Sequence, residues 1–274
     1  MRRKKYRLAA IQMTSTADVE ANLRWVEGQI DRAAEAGAKL VALPENFSWL
    51  RTEGDAVDFR TDLDGELVAQ MGELAKRHRI HLLLGSIPER IPRSRRIYNT
   101  SVLLGPNGRQ LAVYRKIHLF DIDIPGGVTL KESSNVKAGD QPVTVETDLG
   151  MLGLSICYDL RFPELYRRQA LAGAQILFVP AAFTAYTGPP HWLPLLRARA
   201  IENQCWVVAP AQYGQHNETR RSHGETVVID PWGTVTARKA RGRGLLLAEI
   251  DLNRVTRVRR GLPCLEHTHR KLIG

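Results

Sequence analysis

Three thiols are available for chemistry in this chain, Cys157, Cys205 and Cys264, and their settings differ. Cys157 ends the apolar run LGLSI and is followed at once by YDLRFPELYRR. That pattern predicts a strand-to-helix elbow, where a nucleophile is presented and where the positive end of the following helix favours the thiolate. A small core cysteine is the competing reading of the same residue. Cys205, inside AIENQCWVVA, and Cys264, after Pro263, read as structural. Glu45 follows the apolar segment VALP. A carboxylate at the mouth of a buried strand is expected to have a raised pKa suited to proton transfer near neutrality, although a cap or salt bridge would also use a carboxylate there. Lys116, in VYRKIHLFD, is either a solvated charge or an ammonium held among apolar neighbours; two residues on, His118 offers a rival Cys-His pairing. Spacing alone leaves that choice open.

The elements that must position these groups follow from an internal repeat. Ala36 to Phe47 reads AGAKLVALPENF and Ala172 to Phe183 reads AGAQILFVPAAF, each after a stretch with helical apolar spacing. In the first copy Leu23, Val26, Ile30 and Ala33 form one stripe before a strand at Leu40 to Leu43; in the second, Leu165, Ala170 and Leu171 lead to a strand at Ile176 to Val179. Pro163 suits the opening turn of that second helix. Two further segments, SVLLGPNGRQLAV from Ser101 and TVVIDPWGTVTA from Thr226, both read strand, Pro-x-Gly turn, strand. Strands are also expected at Leu8 to Met13, His81 to Ile87, Leu152 to Ile156, Val207 to Ala209 and Leu245 to Ile250. Two similar halves, each a sheet with one helical face, bury most apolar area sheet against sheet with helices outside. The expected fold is therefore α/β, a four-layer α-β-β-α sandwich with an internal pseudo-two-fold repeat, in a single domain spanning residues 1–274.

Composition sets the outer bounds. With 274 residues, 43% hydrophobic, 25% charged and 7% aromatic, the chain can build a substantial core, and the lack of a low-complexity tract or long Gly/Ser linker argues against wholesale disorder. The stretch MRRKKYRLAAIQM lacks the apolar segment and cleavage site of a signal peptide. The uncharged run Gln169 to Leu196 is broken by Pro180, Pro189, Pro190 and Pro194, which predicts a strand and a buried loop rather than a membrane span. Three widely spaced cysteines indicate neither a disulfide framework nor a zinc site, so a reducing cytoplasm is expected. The net charge of +10 is scattered, concentrating only at Arg2 to Lys5, Arg93 to Arg96, Arg238 to Arg243 and Arg254 to Arg260. Without a nucleic-acid motif around them these clusters read as solvated surface, compatible with an anionic small substrate.

Taken together, ALPENF, YRKIHLFD and GLSICYDLRFPELYRR resemble the three signature blocks of the nitrilase superfamily of carbon-nitrogen hydrolases. The likeness continues through PAAFTAYTGPPHW, LLRARAIENQ and IDPWGTV and so covers essentially the whole chain. It implies that Glu45 is the general base, Lys116 the stabiliser of the tetrahedral species and Cys157 the nucleophile. Glu132, in LKES, matches an additional active-site glutamate, and the backbone N–H of Tyr158 shares the oxyanion with Lys116. His118 then falls to a structural role. Phe183 and Thr184 are expected in the pocket wall, with core packing the alternative for Phe183. Arg197, Arg199 and Glu202 share one helical stretch and read as an ion-pair network. No metal or organic cofactor is implied.

RKIHLFDIDIPG, TGPPHW, RARAIENQCWVVAPAQYG and LPCLEHTHRKL look most similar to the Nit-type branch of that superfamily. The branch likeness implies a small carboxylated amide as substrate: deaminated glutathione first, alpha-ketoglutaramate second, a nitrile or N-carbamoyl compound third. In RRSHGETVVIDPWG, His223 and Glu225 depart from the Tyr and His usual at those positions, which touches substrate choice rather than chemistry. A homodimer or larger homo-oligomer is implied. The alternative of another class is a basic nucleic-acid-binding protein on a nonfunctional hydrolase scaffold, against which intact Glu45, Lys116 and Cys157 speak.

Overall fold

The computed structural model describes residues 4–52, 57–125 and 129–269. Arg2, Arg3 and Gly126 of the segments quoted above, with Arg270, Lys271 and Leu272, lie outside the described residues.

Two six-stranded sheets form the centre. The first runs β16 (Gly244–Asp251), β1 (Lys5–Gln12), β2 (Ala38–Ala42), β3 (His81–Arg90), β4 (Ile97–Leu104), β5 (Gln110–Arg115). The second runs β8 (Val143–Thr147), β9 (Gly150–Leu154), β10 (Ile176–Phe178), β11 (Trp206–Ala209), β14 (Thr226–Ile229), β15 (Val235–Lys239). In each, the second, third and fourth strands are parallel and the flanking ones antiparallel. The orders therefore match strand for strand, with the repeated AGA motif leading into β2 and β10 and the β4-β5 hairpin corresponding to β14-β15. Two short ribbons, β6 (Asp121–Asp123) with β7 (Thr129–Lys131) and β12 (Tyr213–Gln215) with β13 (Arg221–His223), lie outside the sheets.

The layering follows from the period-two alternation of the strands. On β1, Leu8 and Ala10 pack with Leu154 and Phe178 of the second sheet, whereas Ala9 and Ile11 face the opposite way, toward helices. Those helices are α1 (Val19–Glu35) and α2 (Glu66–His78), which bury Val26, Ile30, Ala33, Leu67, Met71 and Leu74. On the far side α3 (Pro163–Leu171) and α4 (Gly188–Asn203) cover the second sheet with Leu165, Tyr166, Trp192 and Leu196. α5 (Leu252–Gly261) follows β16. The result is the four-layer α-β-β-α sandwich. One expectation is corrected: the proline-rich stretch after β10 is not loop throughout but enters α4, with Pro189 and Pro190 in its first turn, where a missing N–H leaves no helical bond unmade.

The functional consequence is geometric. Glu45 follows β2, Cys157 follows β9 and Ala182 follows β10, so the carboxyl ends of parallel strands from both sheets converge, and Lys116 arrives beside them just past the end of β5.

Candidate active site

Cys157 opens a tight 3-10 turn, Cys157–Arg161, between β9 and α3. Its φ of 48° is left-handed, an unusual conformation for a residue with a side chain. The turn is fixed by the Cys157 N–H donating to Pro180 O at 2.9 Å, and the thiol lies beside the Glu45 carboxylate. Glu45 Oε1 accepts from Lys116 Nζ at 2.9 Å and from Asn99 Nδ2 at 2.9 Å, and its Oε2 accepts the Ala182 N–H at 2.8 Å. Lys116 Nζ reaches a second carboxylate, Glu132, at 2.9 Å from Oε2 and 3.1 Å from Oε1. Glu132 is held in turn by the Phe120 N–H at 2.6 Å and by Asn99 Nδ2 at 3.2 Å. Asn99 thus points its amide nitrogen between the two carboxylates. The Glu45 carbonyl accepts from Gln212 Nε2 at 2.9 Å, which also fixes the backbone beneath the carboxylate.

Burial and charge here oppose each other. Burial alone would raise the Glu45 carboxyl pKa, but the Lys116 ammonium, with its hydrogen bond and that of Ala182, holds it below the ordinary value of 4.5. The raised value expected from sequence is therefore corrected. Burial, reinforced by the Glu45 charge, pushes the Cys157 thiol well above its usual value, and Lys116 only partly offsets this. The expectation that this position favours the thiolate is corrected too, because burial and the Glu45 charge outweigh the Lys116 ammonium. Lys116 would lose its proton to burial, yet Glu132 and Glu45 raise it. The resting constellation is a neutral thiol beside a carboxylate that shares one ammonium with a second carboxylate.

These groups line one cavity, with Asn46, Trp49, Arg51, Phe120 and Arg220 among the other walls. Sequence reading named Glu45, Lys116, Glu132 and Cys157, and all four are there. The Tyr158 N–H, second in the turn, meets no acceptor among the described residues, while its ring packs edge-on to Phe120 at 4.9 Å. Phe183 and Thr184 do not line the cavity. Phe183 is core, 5.0 Å from the Trp192 ring, and Thr184 bonds the Thr187 hydroxyl at 2.8 Å and its N–H at 3.2 Å. The neighbouring Ala182 takes the wall position instead, because the chain has turned away by Phe183. His118 bonds Asp159 rather than the thiol, and stacks on Phe162. Arg199 pairs with Glu202 at 2.8 Å, but Arg197 donates to Gly233 O and is not part of that pair.

Asn99, Trp49, Arg51 and Arg220 were not singled out by sequence. Asn99 carries no distinguishing signal, since Thr100 and Ser101 follow it as further polar residues in the buried strand IYNTSVLL. At the position of the departure noted above, His223 Nε2 and Glu225 Oε2 are 2.9 Å apart, and Glu225 also meets Arg238. Among the described residues no cluster of His, Cys, Asp and Glu is arranged to hold a metal ion, and no helix is long and apolar enough to cross a membrane.

Residues 7–260 match the model of a family described as carbon-nitrogen hydrolase. A deaminated glutathione amidase of Synechocystis is 47% identical over 267 residues, covering 96% of this chain and 98% of that protein. The crystal structure of the Caenorhabditis elegans NitFhit protein superposes with a TM-score of 0.92 at 42% identity, covering 99% of this chain and 67% of that one. An amidase from Nesterenkonia sp. AN1, solved as a Glu-to-Gln variant with the acetamide moiety of fluoroacetamide added covalently at its active site cysteine, gives a TM-score of 0.76 at 26% identity over 93% of this chain and 94% of that one.

Proposed function

The chain belongs to the carbon-nitrogen hydrolase family, and from that premise we propose that it is a thiol amidase using Glu45, Lys116, Cys157 and Glu132. The observation that carries this reading is the Lys116 ammonium shared by Glu45 and Glu132, with the Cys157 thiol beside them in one cavity. Glu45 accepts the thiol proton as Sγ attacks the amide carbonyl carbon. The oxyanion forms between the Lys116 ammonium and the Tyr158 N–H. Glu45 passes the proton to the nitrogen, the C–N bond breaks, and the amine leaves a thioester on Cys157. Water then attacks the thioester as Glu45 takes its proton, the carboxylic acid departs and the thiol is restored. The cysteine adduct in the Nesterenkonia amidase supports the assignment of the nucleophile.

The substrate is a small carboxylated amide, deaminated glutathione, cleaved to alpha-ketoglutarate and cysteinylglycine. Support comes from the similar Synechocystis enzyme and from two guanidinium side chains, Arg51 and Arg220, in the cavity wall. A parallel assay of deaminated glutathione, alpha-ketoglutaramate and an aliphatic nitrile tests it, with the order of kcat/KM expected as written. Far better turnover of alpha-ketoglutaramate would reassign the substrate, and turnover of the nitrile alone would remove the amidase reading.

The wider setting belongs to the same proposal. The protein is cytoplasmic, supported by three free cysteines. It works as a single domain and a homodimer or larger assembly, supported by exposed apolar side chains at Ile201, Trp232 and Leu262; light scattering tests this. Nucleic acid and membrane are not its partners, and tight, steeply salt-dependent binding of random DNA would overturn the first of these.

A further inference from the structure

Behind this constellation sits a third carboxylate, Asp159, with no exposed surface. Its Oδ1 accepts from His118 twice, from the backbone N–H at 3.0 Å and from Nδ1 at 2.8 Å. Its Oδ2 accepts from the Ile156 N–H at 2.9 Å and from the Tyr114 hydroxyl at 2.7 Å. Tyr114 and His118 flank Lys116 by two residues on either side, whereas Ile156 and Asp159 flank Cys157. One buried anion therefore ties the segment that delivers the ammonium to the turn that delivers the thiol. The tie spans the two sheets, since Lys116 follows β5 and Cys157 follows β9. The His118 ring stacks on Phe162 at 3.6 Å, nearly parallel, which fixes the His118 end of the tie at the exit of the same turn.

A carboxylate taken fully out of water is costly unless every lone-pair direction is used, and here four donors, two per oxygen, use them. A simple packing residue needs no such charge. We infer that Asp159 is a positioning residue for the acyl transfer, holding Lys116 and Cys157 at a fixed separation while the oxyanion forms and collapses. This rests on the amidase reading above and adds to it a residue that touches neither substrate nor the reacting atoms. Displacing a catalytic group by about 1 Å costs on the order of 100-fold in rate, so a tie of this kind acts on kcat rather than on binding.

Asp159→Asn keeps the shape but turns one oxygen into a donor facing two donors, which forces the His118 side or the Ile156 side apart. With the full-length protein, kcat for the best amide is expected to fall about 100-fold while KM stays within about threefold. Carbamidomethylation of Cys157 by iodoacetamide, followed on folded protein, is expected to slow in parallel. Tyr114→Phe, which removes one hydroxyl from a buried ring and leaves the carboxylate in place, is expected to lower kcat about 10-fold in the same direction. It keeps the inference falsifiable if Asp159→Asn fails to fold. A folded variant of either kind with wild-type kcat and wild-type alkylation overturns the inference, as does a loss confined to melting temperature. If wild-type protein turned over no amide, the amidase reading would fail, while the alkylation comparison would still decide the role of Asp159.

Discussion

Glu45 Oε2 accepts the backbone N–H of Ala182 at 2.8 Å, and the internal repeat aligns Ala182 with Asn46, the residue after Glu45 itself. The carboxylate contributed by one copy of the motif is thus oriented by the strand end of the other. Glu45→Gln can still accept that N–H through its amide oxygen, so the variant is expected to fold. Its turnover should fall by at least about 1,000-fold, because the proton acceptor for both half-reactions is gone. Since the Glu45 charge raises the thiol pKa, its removal should move the pH midpoint of Cys157 alkylation downward. Ordinary turnover in this variant, measured by product release, would remove Glu45 as the base.

Lys116→Met leaves Glu45 and Glu132 facing each other without their shared cation, and should destabilise the fold by about 3–5 kcal/mol. The pH dependence changes sign with it. In the wild type the Glu45 pKa is depressed, so its contribution is complete above the ordinary value of 4.5 and drains away as pH falls through the lower folded value. In the variant burial dominates, the folded pKa rises above the unfolded one, and stability should increase as pH is lowered toward 4.5. Melting temperatures of both proteins from pH 7 to pH 4 check this; parallel curves would contradict it. Lys116→Arg should turn over almost as poorly as Lys116→Ala, since a planar guanidinium does not fit a site shaped for a compact ammonium.

Cys157→Ala should abolish turnover in a folded protein, whereas Cys205→Ala and Cys264→Ala should retain it. Cys205 is fully buried, and burial pushes its thiol up to about 11. Its loss should therefore appear as about 1–2 kcal/mol of stability in a denaturant titration rather than in rate. Residual amidase activity in Cys157→Ala would sink the thioester route.

Arg51→Leu and Arg220→Leu should raise KM for deaminated glutathione by about 10-fold each, the scale of one charge-assisted hydrogen bond. Turnover of a small neutral amide should stay near normal. Equal losses on charged and neutral amides would show that these side chains shape the cavity without recognising a carboxylate.

Much of this architecture was legible because it is written in periodicities. Alternation on β1 separates Leu8 and Ala10 from Ala9 and Ile11, and the AGA repeat already paired β2 with β10. Cys157 and Glu45 could be singled out from their own settings, whereas Lys116 and Glu132 could be named only through the family resemblance of their blocks. What local sequence could not express was their mutual field. The Glu45 pKa is decided by an ammonium seventy-one positions along the chain, and an isolated reading sees only the burial, which has the opposite sign. Arg51, Arg220 and Asn99 were missed for a related reason: they enter the cavity from separate segments, and nothing beside them in sequence marks the convergence. Phe183 and Thr184 failed by one residue, since the wall is made by Ala182 before the chain turns inward.

The pairing of β16 with β1, from Lys5 opposite Asp251 to Gln12 opposite Gly244, closes the first sheet with the last strand of the chain, and the Leu252 N–H extends the closure to Lys4 O. During synthesis this means that the edge of β1 is made early and covered late. At about 5–20 residues per second, roughly 10–50 s separate the appearance of Gln12 from that of Gly244 on the ribosome. For that interval the nascent first half exposes an unpaired strand edge together with the apolar face of Leu8 and Ala10, the combination most prone to pairing with another chain. Glu45, Lys116, Glu132 and Cys157 are all translated before β16, so a chain interrupted just short of Gly244 would carry all four on a sheet whose edge is still β1.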